Sequence, residues 1–279
     1  MRFYAKLVKI WAYVSMAVTA SVIVFLFAYV LSQGASVIDL AFITERPRGA
    51  VLGSEGGIWP AIAGSLWFTG TAVLLGGIPA LATAVYLVFY CRSKRVYSFI
   101  RTVIQSIAGI PSIALGLFSY SLLVRTMGLG RCVLAGGIAL AIMIFPFIAV
   151  RIEKALREIP AELILSSYAL GISRSYTVTK LVLHAIRGEL VSGFILGSCF
   201  AMGATAPLIF TGGVAYAAPP DSVMEPAMAL PLHLYLLLAQ GTSMPQVYGT
   251  AFVLMIIVLV SNTLATLYAR REKRTWKQF

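Results

Sequence analysis

The sequence predicts an all-α, polytopic membrane protein with about six transmembrane helices. Three observations predict this class: an apolar composition, long uncharged apolar segments, and basic residues confined to alternate loops. Hydrophobic residues make up 59% of the 279-residue chain and charged residues only 11%, whereas a soluble domain carries about 25% charged residues. A soluble fold could not cover this much apolar surface, so lipid is the solvent that the composition fits.

Six segments are long and apolar enough to cross a bilayer, because a spanning helix needs about 20 mostly apolar residues. They lie at 10–31, 60–90, 99–123, 132–150, 188–211 and 246–268. The first follows a basic N-terminus, as in a signal peptide, but it has full spanning length and no convincing small-residue cleavage site, so we expect a retained helix. The proline-rich stretch 217–239 predicts a loop with a short helix that lies on the membrane or dips into it.

Lysine and arginine predict the orientation, because they remain on the cytoplasmic side near helix ends. The two tails and the loops after the second and fourth segments hold 18 of the 22 basic residues. This split predicts a multi-pass protein of the cell membrane with both termini in the cytoplasm. Basic residues so placed orient helices and contact anionic lipid headgroups. The net charge of +12 therefore indicates membrane lipid as a partner and not nucleic acid.

The long cytoplasmic loop 151–187 carries helix signals of its own. Pro160 suits a first helical turn, and Glu162 places a carboxylate near a helix N-terminus, where it is favourable. Gly171 suits the left-handed residue that ends a helix, and Ser173 can cap a second helix. The pattern predicts a short helix, a glycine break and a second helix that returns to the membrane. A folded helix in such a loop indicates a docking partner.

The residues of an enzyme active site are missing from the sequence. There is no GxxxxGK[ST] phosphate loop, neither His184 nor His233 lies in an HExxH motif, and no Ser-His-acid set is visible. Cys91, Cys132 and Cys199 lie far apart, which argues against a disulfide framework or a zinc site. We expect no catalytic residue, no metal and no cofactor. The span centres also lack the ionisable groups usual in pumps and secondary carriers, so the energy source is expected on another chain.

Four motifs occur in one order along the chain: GIPS at 109–112, GLF at 116–118, TAPL at 205–208 and ALPxxxY at 229–235. Together they resemble the PstA family, a membrane subunit of the bacterial and archaeal phosphate ABC importer. The resemblance implies a type I ABC importer permease fold and a role as permease subunit of an ATP-driven phosphate importer. It also implies partners: a second permease subunit (PstC-like), ATPase subunits (PstB-like) that hydrolyse the ATP, and an external phosphate-binding protein (PstS-like).

Some positions depart from the family pattern. Phe200 and Ala204 stand where RxxGETAPL has Arg and Glu, and Phe89 stands at the Glu of YLxEY. In the EAAxxxG coupling pattern Gly171 matches, but 165–167 reads LSS. Two alternatives therefore stay open: a permease for another oxyanion (sulfate, molybdate or tungstate), and a non-transporting membrane scaffold or sensor partner.

Two candidate sites follow. The residues expected to couple the chain to an ATPase belong to a helix at about 160–171: Glu162, Leu163, Ser166, Ser167, Ala169, Leu170 and Gly171. One face of this helix is half apolar, which favours a groove on a soluble partner, the alternative being a lipid surface. Ser112 and Thr205 are the candidates for the anion path, because each lies within two residues of a proline that interrupts a span and leaves N–H groups that suit anions. Simple proline kinks are the alternative there.

The chain is expected to divide into three parts. Residues 1–58 are an N-terminal transmembrane helix with an external loop, 59–268 form the transport domain, and 269–279 are a basic cytoplasmic tail.

Overall fold

Helices form nearly all the regular structure of the chain. The computed structural model describes residues 2–49 and 51–276, and the last three residues of the predicted tail, 277–279, lie outside that part. In chain order the elements are α1 (Arg2–Gly34), α2 (Leu40–Thr44), β1 (Pro47–Arg48), β2 (Glu55–Gly56), α3 (Trp59–Ala72), α4 (Ile78–Val85), α5 (Lys94–Ala108), α6 (Ser112–Ser119), α7 (Val133–Arg157), α8 (Ala161–Ala169), α9 (Arg174–Tyr176), α10 (Leu183–Ala185), α11 (Arg187–Met202), α12 (Ala206–Thr211), α13 (Leu230–Gln240) and α14 (Met244–Trp276). Short π-helical turns connect several of them without a break, as between α3 and α4.

By length and composition, the described helices provide up to six membrane crossings. Four are continuous: Lys6–Gly34, Trp59–Tyr90, Val133–Arg157 and Met244–Ala269. Two more are bent pairs, in which α5 meets the helical stretch 112–126 at 98° and the stretch 174–185 meets α11 at 71°. The predicted all-α class with about six transmembrane helices is confirmed.

Three predicted boundaries are wrong. The third segment is not one helix, because α5 ends at Ala108 and Pro111 precedes α6. The fifth segment ends at Met202, and α12 follows as a separate helix with Pro207 in its first turn. Proline lacks the N–H that a continuing helix would need. The fourth segment is longer than predicted, since α7 continues to Arg157.

Helix α7 is the centre of the bundle. In the 18-residue apolar stretch of α7, 61% of the residues are buried, against 6% in that of the first crossing and 11% in that of the last. Helices α3, α4, α5, α11 and α12 pack around it. The approach to the second crossing is close, because a Cβ at Gly76 would lie 2.6 Å from the Ala141 carbonyl oxygen. Helix α1 contacts the rest of the chain mainly through α14.

Loops and α13 cover the end of the bundle where α7 begins. The Val133 N–H donates to the Glu225 carbonyl oxygen (2.8 Å), and the Leu230 N–H at the start of α13 donates to Ser65 Oγ (2.8 Å). The prediction of a loop with a short helix at 217–239 is confirmed, with the helix at Leu230–Gln240. Because α8 follows the other end of α7, the predicted coupling segment lies at the opposite end of the bundle.

Candidate functional site

The short helix predicted between two spans is present as α8. Pro160 is the N-cap residue of α8, and Glu162 lies in its first turn. The helix follows directly after α7 and precedes the bent pair that ends in α11. Both neighbours of α8 are therefore candidate membrane crossings, which places α8 at the point where the chain leaves one crossing and enters the next.

The predicted glycine stop is also confirmed. Gly171 has a φ of +75°, a left-handed conformation that glycine adopts without strain. The Gly171 N–H donates to the Tyr168 carbonyl oxygen (3.0 Å), and the Ile172 N–H donates to the Ser167 carbonyl oxygen (3.2 Å). These two bonds are the Schellman pattern, which satisfies the last carbonyl groups of a helix. Ser173 then caps α9 through its side chain, as predicted.

The predicted coupling residues lie in one segment but differ in burial. Leu163 is half-buried, and the exposed members are Glu162, Ser166, Ala169, Leu170 and Gly171. Ser167 is 4% exposed, and its hydroxyl oxygen lies 2.6 Å from that of Thr177. Its assignment to the docking face is therefore wrong: Ser167 ties α8 to the helix that follows. The large apolar side chains that α8 and its C-cap expose are Leu165, Tyr168 and Leu170, of which Leu170 is 80% exposed.

Sequence reasoning missed a polar cluster beside the coupling segment. The buried Glu153 carboxylate accepts hydrogen bonds from the Tyr97 hydroxyl (2.9 Å) and from Arg157 (3.0 Å). Arg101 donates to the same Tyr97 hydroxyl (2.7 Å). The Tyr97–Glu153 bond joins α5 to α7, and the two arginines hold its partners from within their own helices. The sequence feature that could have predicted the cluster is the i, i+4 spacing of Glu153 and Arg157, which places them on one face of a helix. Because the predicted fourth segment ended at 150, both residues were assigned to a loop, in which that spacing predicts no contact.

A second polar link joins α7 to α11. The Arg151 guanidinium lies 3.3 Å from the Glu189 carboxylate and 2.9 Å from the Ser192 hydroxyl. The aliphatic stem of Arg151 passes over Gly193, where an added Cβ would lie 3.4 Å from its Cδ. The helices on either side of the coupling segment are thus fixed to each other near the points where that segment joins them.

The two candidate anion-path residues lie at the starts of helices that pack side by side. Ser112 is the first residue of α6, and Thr205 is the N-cap residue of α12. The helices approach closely at Gly116, where a Cβ would lie 2.9 Å from the Pro207 Cα. Ser112 is exposed and Thr205 is half-buried. Across residues 2–49 and 51–276 neither side chain makes a hydrogen bond, so both hydroxyl groups are available to a ligand.

Helix α12 contacts both α6 and the loop residue Arg131. The first turn of α12 lies against Gly116 of α6. Near its last turn, the Ile209 carbonyl oxygen accepts a hydrogen bond of 2.5 Å from Arg131, which follows α6 in the chain. Ser112 lies four residues before Gly116 and Thr205 lies two residues before Pro207, so both residues lie near this packing contact.

Comparisons with known proteins show the family to which this chain belongs. The family model described as a binding-protein-dependent transport system inner membrane component matches residues 80–274. The probable phosphate transport system permease protein PstA of Methanocaldococcus jannaschii is 33% identical, over 90% of this chain and 89% of its own. The chain belongs to the PstA family of inner membrane permeases. The phosphate transport system permease protein PstA 1 of Mycobacterium tuberculosis is also 33% identical, over 78% of this chain and 72% of its own.

A solved structure supports the fold of this PstA-family chain. The MetNI methionine ABC transporter in an inward-facing conformation covers 77% of this chain and 97% of its own, with a TM-score of 0.63 and 20% identity. At that identity the likeness concerns the fold alone, and it confirms the predicted ABC importer permease fold. The family relatives are permease proteins and not enzymes. The chain is therefore a multi-pass membrane component of a transport system.

The structure shows what occupies the positions that depart from the PstA-family pattern. The Phe200 ring, at the position of the family's Arg, packs against Phe147 with ring centroids 4.5 Å apart. Ala204, at the position of the family's Glu, packs against the core around α7. An aromatic pair and a methyl group offer no charge to an anion. Any positive charge on the path must come from another position of this chain or from a partner.

Proposed function

We propose that this chain is the membrane permease subunit of an ATP-driven phosphate importer and forms half of its translocation pathway. The observation that carries the proposal is the 33% identity, over 90% of this chain, with a PstA relative whose name states phosphate transport. The importer permease fold supports the permease role. The available hydroxyl groups of Ser112 and Thr205 support an anion path that passes the starts of α6 and α12.

The proposal includes the partners and the orientation. A second permease subunit (PstC-like) completes the path, ATPase subunits (PstB-like) supply the energy, and an external phosphate-binding protein (PstS-like) delivers the anion. The family description itself names dependence on a binding protein. With 18 of 22 basic residues on one set of loops, both termini and α8 face the cytoplasm. In this scheme 59–268 is the transport domain, flanked by the helix and loop of 1–58 and the tail 269–279.

In this proposal the ATPase docks on the exposed side of α8. Leu165, Tyr168 and Leu170 supply its apolar contacts, because exposed apolar side chains on a short helix suit a groove on a soluble partner. The Ser167–Thr177 contact joins α8 to the following helix. A displacement of α8 by the ATPase is then passed on to the crossings on both sides.

Uptake by the reconstituted complex tests the function. Proteoliposomes would hold both permease subunits and the ATPase, with ATP on the ATPase side and the binding protein with labelled phosphate on the other. We expect ATP-dependent accumulation that excess unlabelled phosphate suppresses and that sulfate, molybdate and tungstate do not. A complex with a hydrolysis-deficient ATPase is the control. Stronger suppression by another oxyanion would assign that anion as substrate, and an assembled complex that moves no oxyanion would indicate a scaffold or sensor.

A further inference from the structure

Helix α5 separates its side chains into an apolar and a polar face. The apolar face includes Ile100, Ile104 and Ile107, which pack on this chain, and Phe99 and Val103, which are exposed. The polar face consists of exposed residues that recur at i, i+3, i+4, i+7 and i+8: Ser98, Arg101, Thr102, Gln105 and Ser106. We call these five residues the α5 polar stripe. Because residues three and four apart are neighbours on a helix, the stripe is one continuous surface.

The α5 polar stripe extends into the depth of the membrane. At one end of α5, Tyr97 bonds to Glu153 near the end of α7. At the other end, Ile107 lines a cavity of about 230 Å³ together with Gly76 and Ala141. Gly76 and Ala141 lie near the midpoints of the crossings Trp59–Tyr90 and Val133–Arg157. Helix α5 therefore runs from the coupling end of the bundle to its middle and carries the stripe with it.

Polar side chains at this depth do not face lipid. Within membranes such residues face the interior of a bundle or a water-filled cavity. Ile100, Ile104 and Ile107 of α5 already pack on this chain, so the stripe on the opposite side of the helix is turned away from it. We propose that the α5 polar stripe lines the cytoplasmic half of a water-filled translocation path between the two permease subunits, and that Arg101 binds the transported anion there.

Arg101 is placed to supply the missing positive charge. Its guanidinium donates to the Tyr97 hydroxyl (2.7 Å) and lies 5.9 Å from the centroid of that ring, so the group is held while it stays exposed. The Glu153 carboxylate nearby is paired with Arg157 at 3.0 Å, which leaves the charge of Arg101 uncompensated in this cluster. A guanidinium matches the oxygens of phosphate in a bidentate fashion. The identity of the anion rests on the proposed function, whereas the water-filled path does not.

Thiol labelling in the assembled complex tests the path. The background carries Cys91→Ser, Cys132→Ser and Cys199→Ala; a serine at 132 keeps an acceptor for the Ala135 N–H, which now bonds to Cys132 Sγ. Gln105→Cys is compared with Leu264→Cys on α14, an apolar position that is 59% exposed. In inverted vesicles without ATP, we expect charged methanethiosulfonates to modify the thiol at position 105 at least about tenfold faster than the thiol at position 264, because the reactive thiolate requires water. Equal, slow rates would overturn the path, as would failure of both Gln105→Cys and a second variant, Ser106→Cys, to react.

The role of Arg101 is tested in the same background. Labelling of the Gln105→Cys thiol is measured with an anionic and a cationic methanethiosulfonate, with and without Arg101→Gln. We expect the anionic-to-cationic rate ratio to fall about three- to tenfold in Arg101→Gln, since a nearby positive charge concentrates anions, and to stay near its original value in Arg101→Lys. An unchanged ratio would overturn the assignment of Arg101. Inorganic phosphate should slow the labelling of the same thiol. A complex with Arg101 that transports no phosphate, but whose anionic-to-cationic labelling ratio still depends on Arg101 as expected, would contradict the proposed function and leave the path intact.

Discussion

Charged side chains inside the bundle are held by close partners. Glu153 is 5% exposed, and its carboxylate meets Tyr97 and Arg157 within 3.0 Å. Arg151 reaches Glu189 in a similar way across two helices. A buried charge left without a partner costs several kcal/mol, so the Tyr97–Glu153 and Arg151–Glu189 contacts resist separation of the helices they join. The residues near the coupling segment therefore fix α5, α7 and α11 relative to one another.

Loss of the hydroxyl groups at the starts of α6 and α12 should impair transport. We expect Ser112→Ala and Thr205→Val together to lower phosphate uptake by about tenfold or more, because a hydrogen bond to a charged group contributes about 1.5–3 kcal/mol. ATP hydrolysis by the complex should persist. Uptake of labelled phosphate by proteoliposomes measures the effect. Ser119→Ala is the matched control, since Ser119 lies at the end of the same helix and is only 1% exposed. Unchanged uptake in the double variant would exclude a role for both residues.

At the scale of single elements, the coupling segment was the best predicted part of the candidate site. Gly171 and Ser173 act within a few residues of their own positions, through a left-handed turn and a capping hydroxyl, so the local sequence contains the information. The burial of Ser167 was not predictable in the same way. It depends on Thr177, ten residues further on, which approaches only when the two helices pack.

The bends in the crossings were also beyond the reach of the sequence pattern. Residues on both sides of 109–111 are apolar enough for a span, and hydropathy does not record the direction in which a helix continues. The 98° bend accompanies the packing of α6 on α12 at Gly116, a contact between segments far apart in the sequence. The polar face of α5 is visible in the sequence as a periodicity, but its meaning required the observation that Ile107 reaches the middle of the bundle.

Replacing Gly171 by valine tests whether α8 couples the chain to an ATPase. A Cβ at Gly171 would meet no atom within 4 Å, so Gly171→Val tests the backbone conformation and not the available space. Valine resists a φ of +75°, at a cost of about 1–3 kcal/mol, and should tilt α8. We expect a complex that inserts in the membrane but hydrolyses ATP without moving phosphate, or that fails to retain its ATPase.

Gly171→Asn is the matched control for that experiment. Asparagine is of similar size to valine but tolerates the left-handed conformation. ATPase retention in pull-downs and phosphate uptake should therefore stay close to the wild-type level. Wild-type assembly and uptake in Gly171→Val would refute the coupling assignment of α8.

At the scale of the whole molecule, burial is distributed very unevenly. In the apolar stretch of α7, 61% of the residues are buried, while the corresponding shares in the first and last crossings are 6% and 11%. Exposed apolar side chains of α1 and α14, such as Trp11 and Leu264, have to be covered by lipid or by another subunit. The sequence predicted the number of crossings because composition decides whether a helix can span. It did not predict that α7 is central, because that follows from which faces pack together.

The orientation of the molecule gives the last prediction. Cys91 lies between the second crossing and α5, close to Tyr90, whose ring lies 5.2 Å from the Arg174 guanidinium of α9, just after the coupling segment. If basic loops are cytoplasmic, an impermeant maleimide should label Cys91 in permeabilised cells and not in intact cells, with Cys132→Ser and Cys199→Ala removing the other thiols. The matched control moves the single thiol to the opposite end of the bundle, by Cys91→Ser with Asp221→Cys at an exposed position, where intact cells should be labelled. Strong labelling of Cys91 from outside intact cells would reverse the proposed topology and move α8 away from any cytoplasmic ATPase.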